Sequence, residues 1–70
     1  MTREQLDNWF THHPPTGNQV GNYENIRRAG HLFATIILEE TPPSADQTAA
    51  IRKVREAVMT ANAAIACEGQ

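Results

Sequence analysis

Cysteine and surplus basic charge are both scarce in this chain, and each scarcity removes a class of protein. A single cysteine, Cys67, in 70 residues excludes an internal disulfide. One cysteine and three histidines that do not fall at ligand spacing also argue against a zinc site, so no metal is expected. Six basic residues against eight acidic ones leave a net charge of −2. A general DNA or RNA coat would be basic overall, so DNA is not an expected partner. No stretch approaches the roughly 20 apolar residues that a membrane span needs. The opening residues Met1-Thr2-Arg3-Glu4-Gln5 carry no apolar signal core. A soluble, intracellular protein without membrane partner or cofactor is the expectation.

What the chain does have is alanine and helical periodicity. Hydrophobic residues make up 40% of it, but alanine fills much of that quota and buries little area. A domain this short buries only about 60% of the surface its unfolded chain exposes. Without a disulfide or a metal, self-association is the remaining way to complete a core.

Two proline clusters divide the chain into three helical segments within one domain, 1–70. The first covers about residues 3–11, where Leu6, Trp9 and Phe10 share a face and Thr2 with Gln5 fits a capping box. The stretch His12-His13-Pro14-Pro15-Thr16-Gly17-Asn18 ends it. The second covers about residues 19–40. Val20, Tyr23, Ile26, Gly30, Phe33 and Ile37 recur there at intervals of three and four, and Thr41-Pro42-Pro43 stops it. The third covers about residues 45–66, with Ile51, Val54, Val58, Ala61 and Ile65 in register behind a Ser44-x-x-Gln47 capping box. The expected fold is all-α, a short N-terminal helix and a long antiparallel hairpin. The segment Leu32-Phe33-Ala34-Thr35-Ile36-Ile37-Leu38 is too apolar to be covered by one facing helix. That predicts one intramolecular face and one face between subunits, with a monomer whose short N-terminal helix folds over the exposed face as the alternative.

Catalysis is not expected. Cys67 lies close to the last residue, far from any group that would orient a base for it. Glu39 and Glu40 are adjacent, so they point to different sides of a helix. Arg52, Lys53 and Arg55 read as an ordinary polar face, and Asn62 either as structural or as reaching a second pocket. The informative cluster is aromatic and basic. Trp9, Phe10, His12, His13 and Pro15 precede or form the turn, and Tyr23, Arg27 and Arg28 follow it. Arginine presents a planar fork suited to phosphate, and aromatic faces stack on bases. These groups suit holding a nucleotide rather than cleaving one. On spacing alone, two plainer alternatives stand beside that reading. The rings would seal the end of a small core, and the arginines would be solvated or paired with Glu24.

The string Phe10-x-x-His13-x-Pro15, then Gln19, then Tyr23-x-x-Ile26-Arg27, and the closing Ala61-Asn62-Ala63-Ala64-Ile65-Ala66 resemble the phage anti-CBASS sponges and the hairpin domain they share with the phage anti-Thoeris sponge. The resemblance spans about residues 9–66. It implies a non-enzymatic homo-oligomer of hairpins, a hexamer in the anti-CBASS branch, that binds cyclic oligonucleotide second messengers between subunits. The implied guests are cyclic dinucleotides, with cyclic trinucleotides or cyclic ADP-ribose derivatives in some relatives. The implied setting is the cytoplasm of an infected bacterial host. By this resemblance Phe10 or Trp9 is the stacking ring, and Arg27 or Arg28 takes the phosphate-holding position that some relatives fill with lysine. A protein-interaction module that docks a partner helix on its aromatic patch is the rival expectation.

Overall fold

The computed structural model describes residues 1–69. They form three helices: α1 (Arg3–Trp9), α2 (Gln19–Glu40) and α3 (Ala45–Ala66). Among the described residues there is no strand.

Helix α1 begins at a complete capping box. The backbone N–H of Gln5 donates to the Thr2 hydroxyl at 3.1 Å, and the Thr2 N–H donates to the Gln5 side chain at 2.9 Å. The helix stops at Trp9, two residues short of the expected 3–11. The Phe10 N–H is shared between the carbonyls of Leu6 and Asp7, and the Thr11 N–H closes on Asn8. The Thr11 hydroxyl also donates to the Asp7 carbonyl at 2.6 Å. Tightening to i→i+3 bonds and side-chain competition for the last carbonyls both end a helix early.

Helices α2 and α3 pack as an antiparallel hairpin. Ser44 caps α3, its hydroxyl accepting from the Gln47 N–H at 3.1 Å. The second half of the expected capping box is absent. The Gln47 amide instead donates to the carbonyls of Leu38 (3.2 Å) and Thr41 (3.0 Å). It thereby ties the two C-terminal carbonyls of the α2 end to the start of α3, where they would otherwise lack partners.

The seam is narrow at Gly30. A Cβ added there would lie 2.5 Å from Cγ2 of Val58, so hydrogen at this position is what lets the backbones approach. Ile26, Ile37, Ile51, Val54 and Ile65 continue the seam, half-buried. None of the described residues is fully buried. The molecule measures 45 × 27 × 15 Å. A helix with its side chains is about 10–12 Å across, so the hairpin is one layer thick.

Candidate functional site

The proline turn is held to the far end of α3 by two side-chain amides. Asn8 donates from Nδ2 to the Cys67 carbonyl at 3.2 Å. Gln19 donates from Nε2 to the Ile65 carbonyl at 3.3 Å. Ile65 lies in the last turn of α3 and Cys67 caps it, at a helix end where carbonyls are left without i→i+4 donors. The Asn8 carbonyl is itself an acceptor for His13 Nε2 at 2.7 Å, and the Cys67 thiol approaches it at 3.9 Å. Gln19 accepts from the Thr16 N–H at 3.2 Å. Asn8 and Gln19 thus fix where the ring-bearing stretch between them begins and ends.

The predicted ligand residues fall into distinct settings. Phe10 is 83% exposed and Trp9 56% exposed, so neither seals a core. Trp9 borders an open groove of about 590 Å³ with Met59, Thr60, Ala63, Ala64 and Cys67 on α3. His12 and Pro15 are exposed, while His13 is half-buried and occupied as a strap to Asn8. Tyr23 is half-buried on α2. One turn later, the two arginines differ. Arg28 pairs with Glu24 at 3.8 Å, the expected helix i,i+4 contact. Arg27 is exposed and makes no ion pair among the described residues.

The start of α2 adds to this. Asn18 makes no side-chain cap, and the first turn holds no acidic residue. The positive end of the helix dipole at Gln19 therefore stands uncompensated by a side chain of the first turn, one turn before Tyr23. Arg52, Lys53 and Arg55 are exposed along α3, as a polar face would be. Among the described residues no group of three or more histidine, cysteine or carboxylate side chains is placed to hold a metal. No helix among them is long and apolar enough to cross a membrane.

Sequence reasoning missed Asn8. Asn8 carried no signal, because its partner lies 59 positions away. Asn62 has its side-chain oxygen buried without a hydrogen-bond partner. Gln19 was legible in principle, since Thr16-x-x-Gln19 is itself a capping-box spacing.

A one-layer helical hairpin that presents exposed rings beside a guanidinium without an ion pair has groups suited to holding a nucleotide. The family model described as Acb2/Tad1, hairpin domain, matches residues 2–66. The chain therefore belongs to the hairpin family of the anti-CBASS and anti-Thoeris sponges, whose members sequester cyclic oligonucleotides rather than turn them over. Comparison with curated proteins and with solved structures gave no match.

Proposed function

We propose that this chain is a phage sponge for cyclic dinucleotides that acts in the cytoplasm of the infected bacterial host and suppresses its anti-phage immunity. Cyclic trinucleotides and cyclic ADP-ribose derivatives are further candidate guests. The observation that carries the reading is Arg27. It makes no ion pair among the described residues and lies one turn after Tyr23 on α2. A doubly charged cyclic phosphate would supply the missing negative charge, and charge-assisted hydrogen bonds to it are the strong kind. Exposed Phe10 or Trp9 offers the stacking face. Trp9, Phe10, His12, His13, Pro15, Tyr23, Arg27 and Arg28 form the proposed ligand set. His13 acts in it through Asn8, since its ring already bonds that carbonyl.

The pocket is proposed to be completed between subunits of a homo-oligomer, a hexamer by analogy with the anti-CBASS branch. A chain with no fully buried residue has little depth in which to enclose a guest alone. Binding is reversible and leaves the guest intact.

Isothermal titration with a panel of cyclic di- and trinucleotides tests this. Saturable binding is expected, and the guest should be recovered unchanged after heat denaturation of the complex. No heat with any member of the panel would favour a protein-interaction module. Recovery of linear products would mean a nuclease.

A further inference from the structure

Asn62 carries the one buried side-chain polar atom among the described residues that has no hydrogen-bond partner, its Oδ1. Such atoms are few in folded proteins, because a buried acceptor without a donor is costly. The register of the hairpin fixes what stands across from it. Gly30 meets Val58 over the seam. Three residues back from Gly30 is Arg27, and four residues on from Val58 is Asn62. In an antiparallel pair those steps end within about 1.5 Å of the same level. They also end on the same flank. Ala29 and Phe33 of α2 line the opposite flank with Lys53 and Ala57 of α3. At about 100° per residue, Arg27 projects about 60° from Gly30 and Asn62 about 40° from Val58, both away from that groove.

Of the donors on this flank, Tyr23 and Arg27 start within one helical turn of the level of Asn62. His31 starts more than a turn away, is exposed and projects about 100° from Gly30, clear of the seam. Neither the Tyr23 hydroxyl nor the Arg27 guanidinium has a hydrogen bond or ion pair among the described residues. Long helical side chains lean toward the start of their own helix. Because α2 and α3 run in opposite directions, Arg27 and Asn62 lean past one another. The stem of Arg27 therefore crosses the level of the Asn62 carboxamide. Tyr23 begins a turn nearer the start of α2 and leans further away. A guanidinium has five N–H donors in a fixed fork. Its terminal nitrogens suit a phosphate, which leaves the Nε–H, nearer the stem, for a second acceptor.

We propose that Asn62 is a positioning residue for Arg27. With a guest bound, the Asn62 Oδ1 accepts the Nε–H of Arg27, and the two terminal nitrogens present their fork to the phosphate. The inference rests on the reading of Arg27 as the phosphate-holding side chain and deepens it. An exposed arginine loses much rotamer freedom when it is held in one geometry. A buried acceptor that meets it in the bound geometry offsets part of that loss. The arrangement also favours arginine over lysine at this position. A lysine carries a single nitrogen, so it does not serve phosphate and carboxamide through separate atoms.

The test is a double-mutant cycle read by calorimetric titration with the cyclic di- and trinucleotide panel. Asn62→Ala should weaken binding about tenfold, the loss of one hydrogen bond to a charged group. In an Arg27→Lys background the same change should cost less than about twofold, because the Nε–H is already gone. In nitrogen-15 spectra of the complex, Arg27 should give a slowly exchanging Nε–H signal that Asn62→Ala removes. Thermal melting separates this role from a structural one. Asn62→Ala deletes an unsatisfied oxygen, so the free chain should melt no lower than wild type. A melting temperature several degrees lower would make Asn62 structural and overturn the proposal. So would an equal loss of affinity in both backgrounds, or coupling to Tyr23→Phe in place of Arg27. Binding that Asn62→Ala leaves untouched would overturn this inference alone, whereas no binding by wild type to any panel member would fail the sponge reading and this inference with it.

Discussion

Asn8 and Cys67 are hydrogen-bonded to each other across the length of the sequence. The amide of Asn8 donates to the Cys67 carbonyl at 3.2 Å, and the Cys67 thiol faces the Asn8 carbonyl at 3.9 Å. The contact joins the end of α1 to the residue after α3, so the stretch carrying Trp9 and Phe10 is set by the tail of the hairpin rather than by its own helix. Replacing Asn8 with alanine removes a bond worth about 1 kcal/mol and leaves a helix-end carbonyl without its donor. Amide hydrogen exchange over residues 8–13 should quicken about fivefold, while the α2–α3 seam keeps its protection. Unchanged exchange in the arm would mean the clasp does not hold it.

The two arginines should separate in binding. Arg28 is committed to Glu24 at 3.8 Å and is largely exposed, where a pair contributes little. Arg27 has no such partner. Arg27→Ala should weaken cyclic dinucleotide affinity about 10- to 100-fold, the loss of one hydrogen bond to a charged group. Arg28→Ala should cost under fivefold. Calorimetric titration of both variants reads the difference, and the reverse order would assign the phosphate to Arg28.

Phe10→Ala should also lower affinity, by about 1–3 kcal/mol if its ring stacks on a base. At 83% exposure in the free chain, its loss should leave the melting temperature of the unliganded protein unchanged within a degree or two. A large drop in thermal stability would show that Phe10 packs instead.

Gly30→Ala should destabilise the hairpin. The new Cβ would sit 2.5 Å from Cγ2 of Val58, and a valine in a helix has essentially one comfortable χ1 rotamer. Overpacking of this kind costs about 1–3 kcal/mol, more than the roughly 1 kcal/mol that alanine gains over glycine in helix propensity. The melting temperature should fall by several degrees for a chain of this size. Adding Val58→Ala should recover part of the loss, a positive coupling measurable in a double-mutant cycle.

Gln47→Ala should open the α2–α3 turn. Its amide satisfies the carbonyls of both Leu38 and Thr41, so the loss should be about 1–2 kcal/mol. Hydrogen exchange should rise at the last turn of α2, and chemical denaturation would show the lower midpoint.

The helices were legible because punctuation and periodicity agreed. Intervals of three and four in the apolar residues marked one face of each long segment, and Pro14-Pro15 and Pro42-Pro43 cut the chain between them. The Thr2–Gln5 capping box formed as its spacing predicts. Gln47 did not complete its box because two carbonyls at the end of α2 competed for the same amide, and a local spacing rule carries no information about the facing helix. The exposure of the hairpin was legible too, in its abundance of alanine. The candidate ligand residues were nominated by chemistry, but the difference between Arg27 and Arg28 was not readable at that stage. It depends on which of two adjacent side chains falls one turn from Glu24. The Asn8 clasp left no trace, since nothing in a one-dimensional pattern links residues 59 apart.

A slab of helices one layer deep has a thermodynamic consequence. In the homo-oligomer proposed above, folding free energy would include a mass-action term, and each tenfold rise in protein would be worth about 1.4 kcal/mol per association step. Such an assembly would be most fragile when newly made and scarce, and would harden as it accumulates.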